Sequence, residues 1–177
     1  MPGKVRRIVT GVNAAGRSCI LSDTLLPTAG VPPGEPVRAG LWTTDSAPAS
    51  NKGKADPVPD GVILGTPPAH RGGSVVRITD IPPDRAHAYD PDNLRQRGCK
   101  TTPDRSARHP GFHATDTVDY AICLEGEVWA VLDEDETLMR PGDVLIQRGT
   151  YHAWANRSDT ICRMAFILID AAPLENH

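Results

Sequence analysis

The sequence predicts an all-β protein, a sandwich or barrel of short antiparallel strands, and three observations carry that prediction. Gly and Pro, 16 and 17 of 177 residues, are spread so densely that no long amphipathic helix can run between them. The short apolar runs are rich in Val, Ile and Thr. Turn signals punctuate the last third of the chain at nearly even intervals, as in sandwiches and barrels.

The elements follow in order. Residues 5–10 and 18–22, joined across 13–16, read as an N-terminal hairpin, and 41–44, 61–65 and 74–81 as further strands. Residues 46–59 mix Pro, Ser, Ala and Lys and are expected as a surface loop. Residues 82–110 are polar and Pro-punctuated. They hold one short helix, capped by Asp90 with Pro91 in its first turn. Two readings of this segment stand side by side: an exposed connector, or a lid whose Arg85, His87, Tyr89, Arg95 and Arg97 reach a ligand. After Gly111, strands are expected at 115–124, 127–132, 137–140, 144–147, 151–155 and 160–169.

Composition excludes several classes. With 39% apolar and 23% charged residues the chain can bury one core, so a single structural domain is expected, residues 1–110 packing on or extending a core at 111–172. Net charge is −3 and basic residues are scattered, so no nucleic-acid partner is expected. No apolar run approaches membrane-spanning length, and a cytoplasmic protein is expected. Cys19, Cys99, Cys123 and Cys162 form no C-x-x-C pair, which argues against a zinc knuckle or redox dithiol. Three are read as small core residues and Cys99 as a loop thiol.

The chemistry concentrates near the C-terminus. Residues of equal parity on a strand face one way, so His113, Thr115, Thr117 and Asp119 share one side, as do His152, Trp154 and Asn156. If both faces line one barrel, His113, Asp119 and His152 converge as two imidazoles and a carboxylate able to hold one divalent metal with open positions.

These residues resemble the motifs of the small single-domain cupins. That family's first motif, H-x-H-x(3,4)-E-x6-G, is matched by His113-x-Thr115-x3-Asp119-x6-Gly126, with Thr115 replacing the second His and Asp119 the Glu. Its second motif is matched by Pro141-Gly142-Asp143 and Gly149-x2-His152-x3-Asn156, with Arg148 near the usual Pro and a loop one residue shorter.

The resemblance covers about a third of the chain. It implies a jelly-roll β-barrel, a divalent transition metal (Fe, Zn, Mn or Ni) on His113, Asp119 and His152, and a homodimer in which the N-terminal strands find partners. Asp119, one methylene shorter than the family's Glu, is expected either to bind the metal or to act through a water as a general acid–base, with His152 the other catalytic residue. Thr115, Gln147, Tyr151 and Trp154 are the expected substrate contacts. His109 is expected as an exposed loop imidazole, or else as a substitute ligand folding back.

Cupins span many reactions. The expectation is a metal-dependent enzyme acting on a small oxygenated organic molecule by dehydration or decarboxylation. Its alternatives are an Fe(II) dioxygenase and a non-catalytic binding protein.

Overall fold

A computed structural model describes residues 5–26, 37–53, 55–62, 65–67, 71–86, 88–102 and 108–175. Ten strands and one α-helix are present among them, the all-β architecture that the residue pattern predicts. The hairpin pairs β1 (Val5–Val12) with β2 (Ser18–Leu26). Its turn is fixed by Asn13, whose side-chain oxygen accepts the N–H groups of Ala15 and Arg17, and by Gly16 at φ 72.

A five-stranded antiparallel sheet is ordered β3 (Arg38–Thr44), β4 (Ser74–Ile81), β10 (Cys162–Asp170), β5 (Thr117–Glu125), β8 (Val144–Arg148). A three-stranded sheet is ordered β7 (Glu136–Met139), β6 (Val128–Val131), β9 (Ala153–Ala155). The strand expected at 61–65 is a correction. Gly61, Val62 and Gly65 are irregular backbone, with Gly61 meeting β3 only through the Gly40 N–H to Gly61 carbonyl bond; residues 63 and 64 lie outside the described residues.

Alternation makes the core. On β10 the inward residues are Cys162, Met164, Phe166 and Leu168; on β5 they are Thr117, Asp119, Ala121 and Cys123. Ala121, Cys123, Met164 and Leu168 pack with Val75, Val128, Ala130 and Met139 between the sheets. Strands β3 and β4, from the first half of the chain, extend this same sheet. Asp80 on β4 ties it together: its 2% exposed carboxylate accepts two bonds from Arg163 (2.7 and 2.8 Å) and the Val37 N–H (3.0 Å).

The predicted helix forms as α1 (Pro91–Gln96), with the Asp90 carboxylate accepting the Asp92 N–H at 2.9 Å. All four cysteines are free thiols; Cys123 and Cys162 are core, Cys99 is a loop thiol lining a cavity, and Cys19, expected in the core, is only half-buried on β2. Among the described residues no helix is long and apolar enough to cross a membrane.

Candidate metal and substrate site

Along β5 the inward face changes from apolar (Ala121, Cys123) to polar (Thr117, Asp119), and there the two sheets part around a cavity of about 250 Å³. Its floor carries the two histidines. His113, just before β5, and His152, just before β9, exchange both backbone hydrogen bonds, each 2.9 Å. A pair bonded in this way puts both side chains on the same face, and the imidazole centroids are 4.5 Å apart.

Each ring is oriented identically. Nδ1 of His113 donates to the Gly111 carbonyl (2.8 Å) and Nδ1 of His152 to the Thr150 carbonyl (3.0 Å), an assignment that follows from the acceptors. Nε2 is thereby left as the lone-pair nitrogen on both. Burial pushes His113 down to about 4, and burial followed by the neighbouring His113 pushes His152 down to about 3. Both rings are neutral near pH 7, the state in which imidazole binds metal.

Asp119 lines the same cavity and is 6% exposed. Its Oδ1 is buried with no hydrogen-bond partner, while the nearby Thr117 hydroxyl favours the charged carboxylate; Thr117 and Thr115 hydroxyls are 2.6 Å apart. Burial raises Asp119 to about 6, against the opposing effects of Thr117 and Arg77. An orphaned buried carboxylate oxygen beside two oriented, neutral imidazoles fits a divalent transition metal. Among the described residues no three His, Cys, Asp or Glu side chains are already gathered as a closed ligand set. The preformed part is the histidine pair; Asp119 shares its cavity without completing a ligand group.

The remaining expected contacts divide. Thr115 and Trp154 line the cavity, Trp154 stacking edge-on against His152 (centroids 5.5 Å) and Phe166 (5.4 Å). Tyr151 has the opposite parity to His152. It points away into a separate core cluster with Phe112, Val131 and Ala153. Gln147 sits opposite Asp119 in the β5–β8 ladder, but its amide donates to the Thr150 carbonyl (2.9 Å) and supports the loop before His152 instead of lining the cavity.

His109 is a correction. It is buried, stacked edge-on against Tyr89 (4.7 Å) and takes the Gly111 N–H on Nδ1 (3.1 Å), so it pins the turn leading into His113. Its Nε2 lies 3.3 Å from Asp84 without hydrogen-bond geometry, and burial lowers its pKa despite Asp84.

From the segment 82–110, Pro82, Tyr89, Asn93, Leu94, Arg97 and Cys99 line the cavity. Tyr89 donates to Asp84 (3.0 Å). Arg85 and Arg95 instead pair with Asp159 and Asp92 on the outside, and His87 lies outside the described residues.

Sequence reasoning missed the opposite wall. Arg77, Thr79 and Ile81 of β4 and Arg38 of β3 also line the cavity. The signal was there: Val75, Arg77, Thr79 and Ile81 share one parity, so an arginine stands on an otherwise core-facing strand face. Arg77 is held under the Phe166 ring (5.7 Å to its centroid). Burial, then Arg97, lowers it to about 10, with Cys99 and Asp119 opposing.

No known family profile matches the chain. Relatives are found among fungal proteins. "Phomopsin biosynthesis cluster protein C'" of Diaporthe leptostromiformis is 34% identical over 138 residues, 76% of this chain and 61% of its own length. A "cupin-domain-containing oxidoreductase" of Hypocrea virens is 27% identical over 98% of this chain and 80% of its own. The chain thus spans about three fifths of the first relative. Among solved structures, a putative ethanolamine utilization protein of Salmonella typhimurium is 12% identical, with 96% of this chain and 98% of that one covered and a TM-score of 0.43.

Proposed function

We propose that the chain is a small cupin and a metal-dependent enzyme acting on a small oxygenated organic molecule, with oxidoreductase chemistry. The observation that supports this most is the histidine pair, each ring turned by its Nδ1–carbonyl bond so that Nε2 is the free nitrogen. A divalent transition metal held by His113 and His152, with Asp119 bound directly or through water, would supply Lewis-acid polarisation of a substrate oxygen and, were it iron, electron transfer. The chain supplies the rest. The Gly111 and Thr150 carbonyls lock the imidazoles, the Thr117 hydroxyl holds Asp119, and Trp154 and Phe166 wall the reacting atoms from water.

Oxidation is favoured over elimination because relatives carrying the cupin domain bear the name oxidoreductase. Lyase chemistry, dehydration or decarboxylation, is the second reading, favoured by one feature: a buried carboxylate oxygen of Asp119 with no partner, placed to take or deliver a proton in the cavity. Homodimerisation belongs to the same proposal. The β1–β2 hairpin exposes Ile8, Val12, Ile20 and Leu25, which a second copy would cover.

Metal analysis of the purified protein and of its His113→Ala and His152→Ala variants tests the reading. Near-stoichiometric metal in the parent, lost from both folded variants, is expected. Stoichiometric metal in both variants, or none in the parent after incubation with Fe(II), Mn(II), Ni(II) and Zn(II) in turn, would overturn it. Iron with an O₂-dependent spectrum supports oxidation, whereas zinc or nickel with no O₂ response moves the assignment to the lyase.

A further inference from the structure

We infer that the wall of the cavity facing the histidines is a carboxylate-binding subsite built by Arg38 and Arg97, with Arg77 between them and the metal-binding residues, so that the substrate is a small organic acid. This rests on the proposed function in taking the histidine end as the reacting end.

The placement comes from strand pairing. Arg38 on β3 is opposite Thr79 on β4, and Arg77 is opposite Gly40, so the two arginines are diagonal neighbours on paired strands. Both line the cavity. The third comes from the segment 82–110. Arg97 follows α1, and its carbonyl accepts the Thr66 N–H (3.3 Å) and stands 3.0 Å from where a Cβ on Gly65 would lie, so its backbone is held against the cavity rim.

Three guanidinium groups thus share one small cavity. The carboxylates near them are already engaged. Asp80 is spent on Arg163 and the Val37 N–H, and Asp90 caps α1. Asp119 stands at the histidine end. Among the described residues the Arg38 and Arg97 side chains have no carboxylate partner, and burial, then the Arg97 charge, lowers the pKa of Arg38. Cys99, which lines the same cavity, stays a neutral thiol because burial raises it.

Like charges gathered in a half-enclosed site are costly unless an anion joins them. A guanidinium fork matches the two oxygens of a carboxylate, and it grips phosphate equally well. The rest of the lining decides for an acid with an organic body: Leu94, Ile81, Pro82, Phe166 and Trp154 offer apolar surface between the arginines and the histidines.

The test is calorimetric binding of hexanoate, benzoate and succinate, each against its primary amide, and of inorganic phosphate, to the chelator-treated and the metal-loaded protein. At least one acid is expected to bind both forms, its amide at least tenfold more weakly. Arg38→Gln and Arg97→Gln should each weaken the acid by about tenfold or more, with metal content unchanged and the melting temperature of the ligand-free protein not lowered. Arg97 is the safer site, since it lies on the rim instead of in the sheet. Equal binding of acid and amide, no acid binding at all, phosphate binding in preference to every acid, or retention of full affinity in both arginine variants would overturn the inference. Binding that vanishes on chelation and survives both arginine changes would place the carboxylate on the metal, which also overturns it. Arginine-dependent binding by a protein that takes up no metal would instead preserve the subsite and sink the metal-dependent reading.

Discussion

Asp119→Asn should make the metal-free protein more stable at neutral pH while weakening its hold on metal. The carboxyl is raised from 3.8 to about 6 by burial, roughly two units, each worth about 1.4 kcal/mol. The folded state therefore carries a penalty of about 3 kcal/mol once Asp119 is ionised. The sign follows from the proton counts. Below 3.8 both folded and unfolded states hold the proton and nothing is lost. Between 3.8 and about 6 the unfolded chain releases it first, so stability falls as pH rises, and above about 6 the full penalty stands.

An Asn keeps the shape and carries no charge, so the gain approaches about 3 kcal/mol at most, or roughly 6–12 °C in melting temperature for a chain of this size. Urea unfolding of both proteins in chelator, at pH 8 and at pH 4, reads it. The histidines carry the opposite pH slope, because folded values near 4 and 3 withdraw their stabilisation as pH falls below 6.5; being common to both proteins, this cancels in the difference. A variant no more stable than the parent at pH 8, or a gain equally large at pH 4, would refute the argument that Asp119 is an unsatisfied buried anion. Saturating metal should then reverse the order, since only the parent gains fully from binding.

Three further outcomes are expected. Removing the buried partner of Arg163 with Asp80→Ala should cost about 3–5 kcal/mol and lower the urea midpoint sharply; a loss below about 1 kcal/mol would mean that the Arg163–Asp80–Val37 bonds do not hold β4 to β10. Metal affinity should fall about tenfold per pH unit below about 6, as Asp119 takes its proton, and steepen only near 4, where His113 begins to compete; a steeper fall already between pH 6 and 5 in a chelator-competition titration would return the imidazoles to ordinary basicity. Amide exchange across α1 and residues 97–99 should slow when an acid that binds is added, if segment 82–110 closes over the cavity; protection that is already complete without ligand would make the segment a fixed cover.

Much of the fold was legible because alternation is local. Cys162, Met164, Phe166 and Leu168 read directly as one face of a strand, and Asp90-Pro91 as a helix start. The histidine floor was legible for the same reason, since the parity of His113 and His152 depends only on their own strands. Tyr151 was misplaced where that rule was set aside: adjacent to His152, it has to face the other way, into the core with Phe112. Gln147 has the right strand but a nearer partner in Thr150. The arginine wall was illegible because Arg38, Arg77 and Arg97 are brought together by β3–β4 pairing and by the seat of α1 on the rim, neither of which a single segment encodes.

The division along β5 joins these findings. Ala121 and Cys123 close the barrel with ordinary packing, and two residues further Asp119 and Thr117 stand on the same face with their polar atoms turned toward a cavity. Asp80, which also lines the cavity, is a buried carboxylate matched by three donors. Other polar groups there are not matched. Asp119 keeps an unmatched oxygen, the imidazoles are held neutral, and among the described residues the Arg38 and Arg97 side chains lining the cavity have no carboxylate partner. A chain that satisfies Asp80 so fully has the means to satisfy other buried polar groups. The mismatches there have complementary signs, a lone anion beside two neutral donors and, across the cavity, cations lacking an anion. A cation at the histidines and an organic acid against the arginines would resolve both at once, which is the arrangement that the proposed function and the proposed arginine subsite call for.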